Sequence, residues 1–214
     1  MGRPLVIFDF DGTVADSFAE SLLSYNRVAP RLRLRTVAEA EIPELRRLGA
    51  GELIVALGIP MWKLPRLMIT VRADLMDHFD AVGPVPGIGE ALHELRQAGY
   101  RLAIVTSNSQ ANVRGFLARH GLDLFPTVVA GASIFGKSRR LRRLLKAAQV
   151  GGSAAVYIGD TSPDIRAARE AGTAAVAVTW GFSARAPLAA ENPDAVVEST
   201  SELAATILRL LGNR

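Results

Sequence analysis

Two aspartates stand directly after a short apolar run near the start of the chain. Residues 5–8 are apolar, Asp9 and Asp11 follow them, and Gly12 comes next. Residues at i and i+2 of a strand point to the same side, so both carboxylates can face one site. Ligands of parallel α/β sheets bind beyond the carboxyl ends of the strands, which makes this pair a candidate site. The alternative is an Asp-Gly turn in which an aspartate caps a helix.

A second acidic pair follows another apolar run, which ends at Ile158. Asp160 comes two residues later, and Asp164 lies at the predicted start of a helix. Each could be only a cap or a partner of the helix dipole. Together, however, two strands would deliver four carboxylates to one edge of a sheet. Two like charges about 4 Å apart cost roughly 4 kcal/mol at an effective dielectric near 20. A divalent cation would relieve that repulsion, and an all-oxygen site is typical of Mg²⁺.

Groups suited to an oxyanion follow two further strand ends. Thr106, Ser107 and Asn108 lie between an apolar run and a predicted helix, where hydroxyls and free amides suit a phosphate. By themselves they are typical of a plain helix cap. Lys137 lies in a predicted loop before the next helix, where a lysine is usually solvated. Together with the carboxylates, these residues favour phosphoryl transfer, in which an anionic nucleophile approaches a phosphate among cations and hydrogen-bond donors.

The elements that would position these residues alternate between strands and helices. Alternation of this kind predicts an α/β fold with a doubly wound parallel sheet covered by helices on both faces. Strands are predicted at residues 5–8, 102–105, 127–130, 154–158, 174–178 and 194–197. Helices are predicted at residues 88–98, 109–120, 138–149, 163–171 and 200–211.

One stretch interrupts the alternation. Between residues 16 and 83 only helical patterns occur, which predicts an α-helical cap domain at 16–83 inserted into an α/β core made of 1–15 and 84–214. Ser17 and Glu20 fit a capping box that opens a helix toward Val28. Pro65 can begin another helix, with an apolar face that includes Leu67, Met68, Val71, Leu75, Met76 and Phe79.

Composition excludes several classes of protein. With 49% hydrophobic and 21% charged residues the chain is ordinarily globular, and a net charge of +4 does not call for nucleic acid. It has no cysteine, and its three histidines are scattered, which argues against a zinc site. The six basic residues of 137–146 alternate with a leucine stripe and are interpreted as a solvated helix face. No signal peptide or membrane span is recognisable, so a cytoplasmic protein is expected.

The four motifs, in this order and spacing, resemble those of the haloacid dehalogenase superfamily of hydrolases. They are DFDGTVADS, AIVTSNS, the downstream Lys137 and GDTSPD. With the helical insertion, the resemblance spans essentially the whole chain and is closest to the phosphoglycolate phosphatase-like branch. It implies a Rossmann-like core and a Mg²⁺-dependent phosphatase that acts on a small phosphorylated metabolite through an aspartyl-phosphate.

The resemblance also implies a role for each residue. Asp9 would be the nucleophile, and Asp11 the acid for the leaving oxygen and then the base for water. Thr106 and Lys137 would hold the phosphoryl oxygens, with Ser107 and Asn108 beside them. Mg²⁺ would be bound by Asp9, the backbone carbonyl of Asp11 and Asp160, with Asp164 as a further ligand or an orienting group. Lys137 is followed by Ser138, where related phosphatases commonly have proline.

Rival functions remain at this point. A phosphomutase of the same superfamily would return the phosphoryl group to a sugar, and an idle member would only bind phosphate. A receiver module also has an acidic Mg²⁺ site, but it lacks the insertion and the second acidic pair. In the cap, Arg46 and Arg47 could meet an anionic substrate, with at most one of them facing it. The residues define neither the exact substrate nor an oligomeric state.

Overall fold

The computed structural model describes residues 3–131 and 136–212, with the backbone alone for residues 46 and 50. Within these residues six strands form one sheet, all paired in parallel, in the order β3-β2-β1-β4-β5-β6. The strands are Leu5–Phe8 (β1), Arg101–Val105 (β2), Thr127–Val129 (β3), Ala155–Gly159 (β4), Ala174–Val178 (β5) and Ala195–Val197 (β6). The predicted α/β fold with a doubly wound parallel sheet is confirmed.

Both faces of the sheet are covered, which is why the strands are continuously apolar. Val6 and Phe8 point into one buried cluster, and Leu5 and Ile7 point into another on the opposite face. The first cluster is closed by Ile88–Gln97 (α5), Gln110–Arg119 (α6) and Thr200–Gly212 (α10). The second is closed by Lys137–Ala148 (α7), Ser162–Ala171 (α8) and Arg185–Ala190 (α9).

The insertion after β1 is helical, as predicted. Its α-helices are Phe18–Val28 (α1), Ile42–Arg46 (α2), Ala50–Ala56 (α3) and Leu64–Asp77 (α4). They enclose an apolar cluster of their own, which includes Tyr25, Val28 and Leu67. The division of the chain at 16–83 stays a prediction, but the two connecting segments meet there: Ala15 bridges to Pro84, and the Asp16 N–H donates to the Gly83 carbonyl at 2.9 Å.

Two local predictions in the cap are wrong. Ser17 is the N-cap of α1, but its backbone (φ −89°, ψ 1°) is not extended as a capping residue requires, and its side chain makes no cap hydrogen bond. Glu20 instead binds the Arg27 guanidinium at 2.6 Å. Pro65 lies in the first turn of α4 as expected, but Met68 is 49% exposed rather than part of the apolar face.

The helix after Lys137 begins one residue earlier than predicted. Lys137 is the first residue of α7, not a loop residue, because Gly136 turns the chain in the left-handed region (φ 96°) immediately before it. Leu141, Leu144 and Leu145 are buried, which confirms that the basic run surrounds a core-facing stripe. Among the described residues, none of the helices combines the length and apolar character needed to cross a bilayer.

Candidate active site

Three buried aspartates converge where the order of the sheet reverses. Asp9 follows β1 and Asp160 follows β4, and these strands are neighbours, with the Asp9 N–H donating to the Ile158 carbonyl at 2.8 Å. Asp164 lies in the first turn of α8, directly after β4. Each of Asp9, Asp160 and Asp164 offers a carboxylate oxygen, and these oxygens lie within 4.8 Å of one another.

Burial makes this a costly place for negative charge. It raises the pKa of Asp9 from 3.8 to about 7, with the attraction of Lys137 opposing the rise and the repulsion of Asp164 adding to it. The pKa of Asp160 is raised well above its usual value, first by burial and then by the charges of Asp164 and Asp9. Buried carboxylates in such a group need a cation, and an oxygen-only donor set fits a hard divalent ion.

Lys137 supplies one positive charge to the group. Its Nζ donates to Asp9 Oδ2 at 2.9 Å and also binds Asp164 Oδ1, and its side chain is 12% exposed. Burial lowers the pKa of Lys137, but the carboxylates of Asp164 and Asp9 outweigh burial and hold the pKa well above its usual range. The ammonium group therefore stays charged beside Asp9.

Asp164 is held from both sides. Its Oδ2 accepts the Thr161 N–H at 3.1 Å and the Thr161 hydroxyl at 2.5 Å, which is a capping box for α8. Its Oδ1 accepts Lys137 and the Tyr157 hydroxyl, the latter at 3.3 Å. The Tyr157 ring centroid lies 5.7 Å from Lys137 Nζ. Tyr157 had no predicted role, although a tyrosine inside a fully buried strand is a signal that its hydroxyl has a partner.

Asp160 is surrounded by backbone that approaches closely. Its carboxylate accepts the Thr13 hydroxyl at 3.1 Å and the Phe182 N–H at 2.8 Å. A Cβ at Gly12 or Gly181 would clash with this carboxylate, and Gly12 also has a left-handed backbone (φ 75°). These glycines therefore shape the acidic site as directly as the charged residues do.

Asp11 belongs to an adjoining network. Its two carboxylate oxygens each accept the Asn108 side-chain amide at 3.1 Å, and the Asn108 N–H donates to the Thr106 hydroxyl at 2.9 Å. Burial raises the pKa of Asp11, and the Asn108 hydrogen bond, Lys137 and Arg72 oppose that rise. The Asp11 carboxylate is outside the group of three converging aspartates, but its charge still adds to the rise in the pKa of Asp9.

The loop that follows β2 also contacts the cap. The guanidinium of Arg72, on α4, donates to the backbone carbonyl of Ser107. Nothing in the spacing of the sequence pointed to this arginine, because it lies far along the chain from all four motifs. All eight predicted site residues thus lie at one edge of the sheet, in two adjoining networks that Lys137 and Asp11 link electrostatically.

Comparison with known proteins agrees with this arrangement. The profile of the family described as haloacid dehalogenase-like hydrolase matches residues 6–178. The phosphoglycolate phosphatase of Synechococcus elongatus is 36% identical over 96% of this chain and 98% of its own. That of Vibrio parahaemolyticus is 32% identical over 93% of each chain. The solved structure of a predicted phosphoglycolate phosphatase from Haemophilus somnus superimposes with a TM-score of 0.75 at 23% identity, over 96% of this chain and 98% of that one.

The chain belongs to the haloacid dehalogenase-like hydrolase family. The resemblance seen in its four motifs is therefore confirmed, as is the core with a helical cap. Its predicted enzyme class, phosphoric monoester hydrolase, is confirmed with it.

Proposed function

We propose that this protein is a Mg²⁺-dependent phosphatase that hydrolyses a small, phosphoglycolate-like monoester through an aspartyl-phosphate. The observation that carries the proposal is the buried group of Asp9, Asp160 and Asp164 beside Lys137. The relatives named phosphoglycolate phosphatase support the substrate class. A cytoplasmic location stays a prediction.

Mg²⁺ would be held by Asp9, Asp160 and the backbone carbonyl of Asp11, with Asp164 beside them. When bound, the ion would neutralise negative charge that accumulates where a carboxylate approaches a phosphate. The oxygens of Asp164 already accept four donors from Lys137, Tyr157 and Thr161. The main contribution of Asp164 would therefore be to keep Lys137 in place.

Asp9 would attack phosphorus with a carboxylate oxygen, and the bond from phosphorus to the leaving oxygen would break. Asp11 would give its proton to that oxygen, for which a raised pKa suits it. In the second half, Asp11 would take a proton from water as the water attacks phosphorus, and the bond to Asp9 would break to release inorganic phosphate. Thr106, Lys137 and the Ser107 N–H would hold the phosphoryl oxygens, and Asn108 would keep Thr106 and Asp11 in place beside them.

The test is phosphate release from 2-phosphoglycolate and p-nitrophenyl phosphate, with MgCl₂ or with EDTA. We expect Asp9→Asn to abolish turnover of both compounds, because it removes the nucleophile. Asp123→Asn is the matched control, since its side chain is 75% exposed and pairs loosely with Arg114 at 3.6 Å. With p-nitrophenyl phosphate, whose leaving group departs without a proton, Asp11→Asn should slow breakdown of the intermediate more than its formation, so that the intact protein gains the mass of one phosphoryl group. Full activity of Asp9→Asn would reject the proposal.

A further inference from the structure

A cationic side chain from the cap lies at the acidic edge of the core. The Arg72 guanidinium donates to the carbonyl of Ser107, which stands between Thr106 and the asparagine that binds Asp11. Asn108, the next residue after Ser107, donates its side-chain amide to both Asp11 oxygens at 3.1 Å. Arg72 therefore lies on the Asp11 side of the site.

The position of Arg72 is fixed by contacts at the same end of α4. Leu75, one turn later, packs against the apolar cluster of the core. Asp74 accepts the Arg27 guanidinium at 2.7 Å, which joins α4 to α1. The guanidinium is thus carried by a helix that is tied both to the core and to the rest of the cap.

In the proposed reaction, the phosphoryl group lies at Asp9 and Lys137, and the leaving oxygen faces Asp11. The leaving group must then extend from Asp11 toward the cap, where Arg72 is. We propose that Arg72 determines specificity by binding a carboxylate on the leaving group. This inference rests on the proposed function and adds the residue that would select among its substrates.

A carboxylate fits this position better than a neutral group does. Lys137 and the proposed metal already serve the phosphoryl oxygens, so a second cation on the leaving-group side matches a second anion. The planar fork of a guanidinium pairs with a carboxylate through two parallel hydrogen bonds, which a lysine cannot reproduce.

Arg47, one of the two cap arginines that the sequence suggested for an anionic substrate, has a different environment. Its side chain is 73% exposed and pairs with Glu44 at 3.2 Å. It borders a separate cavity of about 470 Å³ between α2 and the loop after β5, lined also by Thr179 and Arg185. Solvent screening at such exposure makes Arg47 the weaker candidate for recognition of an anion.

The experiment compares two substrates of similar size, 2-phosphoglycolate and 2-hydroxyethyl phosphate, which has an alcohol in place of the carboxylate. We expect Arg72→Gln to lower kcat/KM for 2-phosphoglycolate by at least about 30-fold, because it removes one partner of a desolvated charge pair. For 2-hydroxyethyl phosphate the loss should stay below about threefold. Arg66→Gln, at an exposed arginine of the same helix, and Arg47→Gln are the controls and should change neither value.

A binding measurement separates recognition from chemistry. In the inactive Asp9→Asn background, calorimetry with Mg²⁺ should show that Arg72→Gln weakens 2-phosphoglycolate binding by a similar factor. Should Arg72→Gln fail to fold, Arg72→Lys takes its place, with an expected selective loss of about fivefold because the charge stays and the fork is lost.

The outcomes distinguish this inference from the function on which it rests. If the unmodified protein releases phosphate from neither compound, the proposed function fails and the role of Arg72 fails with it. If it hydrolyses both, but Arg72→Gln affects them equally, the arginine merely holds the Ser107 loop and the inference is overturned alone. A selective loss in Arg47→Gln instead of Arg72→Gln would also overturn it.

Discussion

Lys137 is the residue on which the charge balance of the site depends. Its ammonium group contacts both Asp9 and Asp164 and is nearly buried. Removing one partner of a buried ion pair leaves the other charge uncompensated, which usually costs about 3–5 kcal/mol. Lys137 therefore stabilises the fold in addition to its proposed contact with phosphate.

We predict that Lys137→Met abolishes phosphate release and, in EDTA, lowers the free energy of unfolding by about 3 kcal/mol. Mg²⁺ should recover part of the stability but none of the activity, because the ion offsets the carboxylates without replacing the phosphate contact. Urea unfolding with and without MgCl₂ measures this. Lys146→Met, at an exposed lysine of the same helix, should change stability by less than about 0.5 kcal/mol. Equal stability of both variants in EDTA would contradict the prediction.

The acidic residues predict a specific dependence on pH. Burial raises the pKa of Asp9 to about 7, so between about pH 4 and 7 the folded protein holds a proton that the unfolded chain has lost. The contribution of Asp9 to the stability of the metal-free protein must therefore fall as pH rises through that window. Above the window this contribution levels off. Asp160 acts in the same direction.

Mg²⁺ competes with these protons, because it binds the ionised carboxylates. We therefore expect the rise in melting temperature on replacing EDTA by MgCl₂ to be larger at pH 8 than at pH 5.5. Thermal unfolding in matched buffers of constant ionic strength measures the difference. In Asp9→Asn the difference between the two pH values should shrink. A metal-induced rise that is larger at the lower pH would refute the assignment of these aspartates as ligands.

At the residue scale, the site residues that directly follow a strand could be predicted from the sequence. Those that lie inside a strand or on a cap helix could not. Asp9, Asp160 and Asp164 could be placed because a parallel sheet brings the ends of its strands together. Tyr157 and Arg72 reach the site through the interior of a strand and the packing of the cap. No local pattern encodes the angle at which a helical insertion meets its core, so Arg72 could not have been found.

At the scale of the elements, the turns that surround Asp160 leave as little room for an added side-chain atom as the buried strands do. A Cβ at Gly181 would clash with the Asp160 carboxylate, whereas one at Gly115, exposed in α6, meets nothing within 4 Å. We predict that Gly181→Ala destabilises the protein by about 1–3 kcal/mol and weakens Mg²⁺ binding, because the carboxylate must shift. Gly115→Ala should stabilise it by about 0.5–1 kcal/mol, since alanine favours helix.

Urea unfolding of both glycine variants, with Mg²⁺ titration followed by calorimetry, tests this pair. The two substitutions add the same methyl group, at Gly181 against the Asp160 side chain and at Gly115 into open space. Wild-type affinity for Mg²⁺ in Gly181→Ala would show that the carboxylate has room to move.

The element predictions succeeded where burial on two faces leaves a continuous apolar run, as in β1, β4 and β5. The element predictions failed where a single side-chain contact or backbone conformation determines the local structure. Ser17 and Glu20 have the spacing of a capping box, but Glu20 binds Arg27 instead. The start of α7 was missed because it depends on the left-handed backbone of Gly136. The order of the strands also had no signature, since it arises from the way the helices cross the sheet.

At the scale of the whole molecule, the residues that the structure describes form three apolar clusters, one on each face of the sheet and one inside the cap. Because the cap cluster is separate, we expect its stability to be partly independent of the core. Leu67→Ala, at a residue of the cap cluster that is 4% exposed, should cost about 2–5 kcal/mol locally. Hydrogen exchange should then accelerate in α1 and α4 while β1 and β4 stay protected. An equal acceleration in the strands would show that the two parts unfold as one unit.

The chain leaves the core and returns to it at neighbouring points, where Ala15 bridges to Pro84 and Asp16 bonds to Gly83. An insertion whose two ends are adjacent can change in length at little cost in closure entropy, since each doubling of a loop adds only about 0.6 kcal/mol. Its contents can therefore be replaced without moving any strand of the sheet. A grafted module from another member of the family, joined at these two positions, would inherit an intact reaction centre and bring its own choice of metabolite.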